Sequence, residues 1–299
     1  MTDDAKLETY AHALDKHPDY RVVRRYQRPT HYATPAADDS TIHTGVYLDT
    51  ETTGFDEDTC KIIELAMVRF RFTSDGRLFD MPSDFDEFND PGVPIPPEIV
   101  TLTGITDDMV KGQHLDQKKI DAFLDGVALV VAHNASFDRR FVEAHLSGFD
   151  SLAWGCSASQ VPWREAGFES AKLEYLAYRQ GFFYSGHRAI NDCLAGLHVL
   201  AQPLPAVGGT GFAQLVREAR SKEVRIYATG SPFETKDILR QRGYRWNTGD
   251  NGKPKAWYID IAESATEAEF AWLRENVFHR SLKLPTTPIT PFNRFSSRI

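Results

Sequence analysis

The chain has 299 residues, 41% of them hydrophobic and 25% charged, enough to bury a full core in one large domain with a smaller one beside it. No apolar run approaches the roughly 20 residues a transmembrane helix needs, the first residues lack the basic-then-apolar layout of a secretory leader, and three cysteines without a CxxC pair argue against a disulfide framework or a zinc site and for a reducing cytoplasm. The net charge of −8 is uneven: residues 205–299 carry 15 Lys/Arg against 10 Asp/Glu, so an acidic body has a basic appendage. That suits a cation site beside a phosphate-binding surface, although ordinary solvated faces give the same asymmetry.

Residues 4–15 read as a short helix. Residues 20–28 interleave four arginines with two tyrosines, which suits backbone contacts and base stacking or, equally, packing on the acidic body. Residues 30–44 are polar, contain Pro35 and Asp38-Asp39, and read as a linker. The apolar run Gly45-Val46-Tyr47-Leu48 then enters a core as a strand and ends in Asp49 and Glu51. Side chains two apart on a strand share a face, and Thr52-Thr53-Gly54 closes the strand as a turn. Two like charges on one face repel unless a cation sits between them or one stays protonated. An exposed strand end with two solvated acids is the plain alternative for Asp-x-Glu alone.

Residues 62–70 read as a second, largely buried strand, and Ser74-Asp75-Gly76-Arg77 as a hairpin turn into a third. The proline-rich stretch 90–97 breaks regular structure. Residues 117–124 are predicted helical, and the apolar run 127–132 is predicted to be a fully buried strand. Asn134-Ala135-Ser136-Phe137-Asp138 opens a helix with Phe141, Val142 and Leu146 on its apolar side, and residues 173–178 suggest another. After His187 a helix carries Ile190, Cys193, Leu194, Leu197 and Leu200 at the spacing of a face packed on a sheet. A hairpin of strands followed by alternating strands and helices predicts an α/β fold, one mixed sheet covered by helices. Residues 201–211 read as a boundary. Beyond it, strands at 224–228, 244–246 and 256–259 and helices at 234–242 and 266–276 predict a small α+β domain, with residues 284–299 as an extended tail.

Asp49 and Glu51 end one strand, Asp138 lies in the first turn of one helix, and Asp192 lies about one turn into another. Four carboxylates at strand ends and helix starts can converge at one sheet edge, where two hard divalent cations would neutralise them. His187, five residues before the last acid, can reach that edge without becoming a ligand.

The motifs Asp49-Thr50-Glu51-Thr52-Thr53-Gly54, His133-Asn134-Ala135-Ser136-Phe137-Asp138 and His187-Arg188-Ala189-Ile190-Asn191-Asp192 resemble those of the DEDDh family of 3′–5′ exonucleases. Members of that family include the proofreading subunit of the bacterial replicative polymerase and RNase T. Thr103-Gly104-Ile105-Thr106 resembles the family's substrate-side loop. Each motif alone is weak, but all in order over residues 43–203 form a strong pattern.

The resemblance implies a ribonuclease-H-like mixed β-sheet flanked by helices and a two-metal phosphodiester hydrolase using Mg²⁺ or Mn²⁺. By that resemblance Asp49, Glu51 and Asp192 hold the metal that activates water. Asp49 bridges to the second metal, which Asp138 supports, and His187 is the general base, imidazole being the side chain that titrates nearest neutral pH. Thr52, Thr53 and Gly54 are candidates for a phosphate, and Phe55 for a wedge beside the terminal base or a core position. Thr103, Gly104 and Ile105 are candidates for holding the terminal nucleotide, and Asn134 for orienting a helix start or touching substrate.

The domain reading is 1–42 helix and basic linker, 43–203 exonuclease domain, 204–222 linker, 223–281 small α+β accessory domain and 282–299 tail. The accessory piece resembles a small domain of unknown activity found on nucleic-acid-processing proteins. Its aromatics and bases suit stacking on single strands or a minimal core. The expected activity is release of nucleoside 5′-monophosphates from the 3′ end of single-stranded or frayed DNA, with a polymerase or repair protein as the implied partner and no membrane. RNA 3′-end trimming on the same site is the nearest rival, and a non-catalytic nucleic-acid-binding subunit is the rival of another class.

Overall fold

Gly45 to Leu48 are buried on both faces of their strand, as an uninterrupted apolar run requires of a central strand in a covered sheet. The computed structural model describes residues 3–33, 41–280 and 283–299, so the part of the expected linker holding Pro35 and Asp38-Asp39 lies outside the described residues. Two units are resolved, Met1–Ala219 and Arg220–Ile299, each with its own core.

In the first unit α1 (Asp3–Asp15) buries no side chain, and β1 (Arg24–Arg25) follows it. The long strands β2 (Ile42–Thr52) and β3 (Ile62–Thr73) pair antiparallel, as do β3 and β4 (Ser83–Phe88). Helices α2 (Pro97–Thr103), α3 (Asp107–Val110) and α4 (Gln117–Leu124) lead to β5 (Val127–Ala132), which lies parallel to β2. Then come α5 (Ala135–His145), β6 (Trp154–Cys156), α6 (Leu173–Arg179), β7 (Phe182–Phe183), α7 (Ala189–Ala201) and α8 (Gly211–Ala219). The five-stranded sheet runs β4-β3-β2-β5-β6, mixed as the sequence predicts.

Helix α7 packs on β2 and β3, and Gly196 sets how close it comes. A Cβ there would lie 2.1 Å from the Tyr47 hydroxyl, so only glycine lets the helix bring Asp192, one turn earlier, down onto the end of β2. One expectation changes, one open alternative is decided and one strand is new. The linker expected over 204–222 contains α8, whose Phe212, Leu215, Val216 and Ala219 sit in the first core, because its apolar face covers the sheet beside Gly155. The arginine-rich segment 20–28 lies on the body: Arg24 pairs with Glu8 at 2.8 Å, Arg28 pairs with Asp84, and β1 runs parallel to β7. Strand β6 was not anticipated, since three residues with a central glycine leave no periodicity to read. That glycine is needed, because a Cβ at Gly155 would meet the Leu215 side chain at 2.8 Å.

The second unit is an antiparallel sheet of β8 (Glu223–Ala228), β9 (Arg245–Asn247), β10 (Ala256–Ala262) and β11 (Thr286–Ile289) in the order β11-β8-β10-β9. Helices α9 (Lys236–Gln241) and α10 (Thr266–Leu273) join it, and Ile226, Leu239, Tyr244, Leu273 and Val277 form its core. The expected tail is therefore corrected: residues 286–289 add a strand beside β8, which blunts what would be an open edge. Its two threonines and a proline gave no apolar alternation, so only the ladder reveals it. Among the described residues no helix is long and apolar enough to cross a membrane.

Candidate active site

The end of β2, the first turn of α5 and the first turn of α7 meet at one edge of the first unit's sheet. Asp49, Glu51 and Asp192 each offer a carboxylate oxygen, and those oxygens lie within 4.8 Å of one another. Asp138, buried in the first turn of α5, accepts at Oδ1 the backbone N–H of Thr50 at 3.1 Å and the Thr50 hydroxyl at 2.9 Å. The residue between the two strand acids thus holds the helix acid in place. Asp192 accepts the Tyr184 hydroxyl at Oδ1, 2.8 Å away, and its buried Oδ2 has no hydrogen-bond partner among the described residues.

Burial and mutual repulsion outweigh the few groups that offset the charges in this cluster. Burial, and then the neighbouring Asp138, Asp192, Glu51 and Glu64, push Asp49 well above the usual carboxylate range. Burial together with Asp192, Glu64 and Asp138 carries Glu51 to about 8, against a lowering pull from Arg188. Burial also raises Asp138 to about 7 despite its bonds from Thr50. For Asp192, burial outweighs the opposing Tyr184 bond. Carboxylates this costly to ionise together, with one oxygen left bare, match the hard oxygen donors of a divalent cation site. Asp49, Glu51 and Asp192 are the residues able to hold such an ion.

A further acid supports the edge and was not singled out from the sequence. Glu64 lies directly across the ladder from Glu51 and is fully buried. Its Oε1 accepts Arg188 Nε at 3.0 Å and Nη2 at 2.8 Å, and its Oε2 accepts the N–H of Ala189 at 2.9 Å. One buried carboxylate thereby fixes the residue after His187 and the start of the helix bearing Asp192. A lone acid in the otherwise apolar Ile62-Ile63-Glu64-Leu65-Ala66-Met67 was the available signal, as an unpaired charge is not tolerated in a buried strand. Tyr184, which follows the two-residue strand β7, carries no motif that marks it in the sequence.

His187 adopts φ 62°, in the left-handed region, and its half-exposed ring places Nε2 3.8 Å from Glu174 Oε1. His133, from the second motif, is structural. Its ring bridges Ser157 Oγ at 2.9 Å and the Ala171 carbonyl at 2.7 Å, and burial pulls its pKa down to about 4.

The candidate substrate residues divide. Phe55 is 83% exposed, so it stands open beside the acidic strand end and is not a core residue. Asn134 is exposed and accepts the Ser136 hydroxyl at 3.1 Å, while its carbonyl takes the N–H of Phe137 at the helix start. Thr52 donates its hydroxyl to the Gly54 carbonyl, and Thr53 Oγ1 takes the N–H of Lys61 at 3.0 Å, both interactions shaping the turn. Gly54 has the Cys60 sulfur 2.7 Å from where a Cβ would stand. Thr103 is buried: it donates to the Ile99 carbonyl at 2.9 Å and accepts the N–H of Ile105 at 3.1 Å. Gly104, at φ 71°, caps α2 by giving its N–H to the Val100 carbonyl, and the Ile105 side chain is core beside Ile63 and Ile95. The N–H groups of Gly104 and Ile105 are therefore spent within the loop.

Comparison with known proteins agrees with this edge. The RNase T family model, described as an exonuclease, matches residues 46–200. A PolC-type DNA polymerase III of Clostridium perfringens is 34% identical over 161 residues, covering 52% of this chain and 11% of the polymerase. Its counterpart in Halalkalibacterium halodurans is 37% identical over 165 residues, covering 52% of this chain and 11% of that one. The chain thus spans about a tenth of the length of the curated relatives it matches. Among solved structures, Escherichia coli Exonuclease I in complex with a dA16 oligonucleotide aligns at a TM-score of 0.50 with 13% identity, over 78% of this chain and 71% of that one. That likeness is one of fold.

Proposed function

The chain belongs to the RNase T exonuclease family, and from that premise we propose that it hydrolyses the terminal phosphodiester at the 3′ end of a nucleic acid strand, releasing nucleoside 5′-monophosphates. The observation that carries the reading is the meeting of Asp49, Glu51 and Asp192 within 4.8 Å, with Asp192 Oδ2 buried and bare. Two divalent ions, Mg²⁺ or Mn²⁺, suit this oxygen set, one held by Asp49, Glu51 and Asp192 and the other by Asp49 with Asp138. When bound, they would make a water nucleophilic near neutral pH and offset charge on the leaving 3′-oxygen.

The remaining work falls to the chain's own groups. His187 takes the proton of the attacking water at a ring nitrogen, and the Glu64–Arg188 pair keeps its loop in register with Asp192. Thr50 holds Asp138 in the orientation the acids share. Phe55 offers an open ring to the terminal base.

The matched relatives are DNA polymerases, which favours DNA over RNA as the substrate, proofreading or repair as the setting, and a polymerase or repair protein as partner. A site reached through a single terminal nucleotide favours a single-stranded or frayed end. Three free cysteines fit a reducing cytoplasm. The test is digestion of 5′-labelled single-stranded and duplex oligonucleotides, in DNA and RNA, with Mg²⁺ or Mn²⁺. The expected result is a ladder shortening one nucleotide at a time while keeping the label. Loss of the label as a mononucleotide, or internal cutting, would overturn the 3′–5′ assignment.

A further inference from the structure

In the second unit some aromatic side chains build the core and others do not. Tyr244 is buried and donates to Glu269 at 2.8 Å, and Phe270, Trp272 and Phe278 pack against the core. Phe233 is instead 74% exposed and Trp246 48% exposed. Trp246 stands directly opposite Trp257 in the β9–β10 ladder, so the two rings share a face, with centroids 5.7 Å apart at 63°. Phe233 comes from the 3-10 turn before α9, with the Lys236 ammonium 4.0 Å from its ring centroid. One turn further along α9, the Arg240 guanidinium lies 5.8 Å from the Trp257 ring. These side chains, with Asp237, surround a cleft of about 690 Å³.

Such rings contribute little to folding while they face water, since the stabilisation of an aromatic side chain comes from removing its area from solvent. Ring faces left open beside cations are the arrangement that stacks unpaired bases and takes the adjoining phosphates. Charge selects the same occupant. Residues 220–299 carry 14 Lys/Arg against 9 Asp/Glu. Lys236 has no acidic partner among the described residues, and Arg240 has only the mostly exposed Asp237 at 3.7 Å, a pairing weak enough for a phosphate to displace.

We propose that this cleft binds single-stranded DNA, stacking unpaired bases on Trp246, Phe233 and the open edge of Trp257, with phosphates on Lys236 and Arg240. The proposal rests on the reading that the chain acts on nucleic acid strands. It adds a second binding point on the same polypeptide, which raises the effective concentration of a strand around the exonuclease unit.

The test uses full-length protein in EDTA, so that nothing is cleaved, and fluorescently labelled (dT)₂₀ beside a strand of twenty abasic units. Trp246→Ala should weaken (dT)₂₀ binding roughly 5- to 150-fold, the loss of about one stacked base, and leave abasic-strand binding unchanged. Lys236→Gln should instead lower the slope of log affinity against log salt by about 0.7 for both strands. Phe233→Ala, at a position 74% exposed, guards against a folding defect and should weaken (dT)₂₀ in the same base-dependent way. If Trp246→Ala and Phe233→Ala both bind (dT)₂₀ within twofold of wild type, the cleft is no strand site, and a protein partner becomes the occupant to seek. A protein that cleaves nothing with Mg²⁺ or Mn²⁺, yet loses (dT)₂₀ on Trp246→Ala, would sink the exonuclease reading and keep the cleft. Robust cleavage with unaffected variants would do the reverse.

Discussion

Arg188 clasps one oxygen of Glu64 through Nε and Nη2, at 3.0 and 2.8 Å, while the other Glu64 oxygen takes the N–H of Ala189 at 2.9 Å. The Glu64 carboxylate is fully buried and the Arg188 guanidinium lies 5.2 Å from the Phe88 ring. The clasp ties β3 to the segment between His187 and Asp192. The acids of the site therefore depend on a pair that flanks them, Glu64 lying across the ladder from Glu51 and Arg188 taking the Asp192 N–H at its carbonyl at 3.1 Å.

Removing the cation strands the anion. Arg188→Ala should destabilise the protein by about 3–5 kcal/mol, the usual cost of leaving a buried charge without its partner. Glu64→Gln, which removes the charge but keeps the shape, should cost less. Turnover should fall in both, since both loosen the loop that carries His187 and the helix that carries Asp192. Melting curves beside rates on one oligonucleotide check this, and an Arg188→Ala protein within about 1 kcal/mol of wild type would show the clasp to be incidental.

The crowded acids also give metal-free protein a characteristic pH dependence. Asp49, Glu51 and Asp138 all sit above their ordinary values when folded, with Glu51 at about 8 and Asp138 at about 7. Between the ordinary carboxylate range and those values the folded state holds more protons than the unfolded one, so stability falls as pH rises through that window. In EDTA the melting temperature should be higher near pH 5 than near pH 8.5, and a divalent ion should restore most of the loss at the alkaline end. Asp49→Asn should flatten the slope while abolishing cleavage. A metal-free protein that grows more stable from pH 5 to 8.5 would contradict the whole electrostatic picture.

What was legible in the sequence followed periodicity and motif. The apolar run from Val127 to Ala132 forms the expected strand, buried except at Ala128, and α4 takes the residues predicted helical. The approach of Asp49, Glu51 and Asp192 could be read because strand alternation and helix starts have fixed geometry. Glu64 was not, since its meaning depends on Arg188, 124 positions away. Gly196 likewise reads as a neutral helix residue until the Tyr47 hydroxyl is seen beneath it. Composition misled at residues 201–211, where prolines and glycines announced a boundary one helix too early.

That misplaced boundary is itself testable. Truncation after Ala219 should leave a folded unit that still cleaves short oligonucleotides, because every proposed catalytic residue and the whole first core lie before it. Truncation after Pro205 removes α8 and uncovers the surface that Phe212, Leu215 and Val216 bury. Losing one large core side chain costs roughly 3–5 kcal/mol, and losing several together exceeds the stability of an ordinary domain. The shorter fragment should be insoluble or unfolded by circular dichroism. Equal stability of the two fragments would mean that α8 is an appendage after all.

The most discriminating variant of the site is at His187. Its φ of 62° is a conformation that costs a non-glycine residue about 1–2 kcal/mol, whereas glycine adopts it freely and gives back part of the gain through unfolded-chain entropy. His187→Gly should therefore fold with a stability within about 1 kcal/mol of wild type, and the half-exposed ring leaves no cavity behind. If the imidazole is the general base, turnover should nonetheless fall by roughly 10²–10⁴-fold, and part of the rate should return at high pH as hydroxide replaces the missing base. Divalent-ion affinity by calorimetry should stay near wild type, because the proposed ligand oxygens belong to Asp49, Glu51, Asp138 and Asp192. His187→Asn, which tolerates the same backbone but offers no comparable base, should behave like the glycine variant. A glycine variant that loses ion binding together with activity would move His187 from proton transfer to the support of the ligands. One that keeps near-normal turnover would send the search for the base to other groups at the same edge.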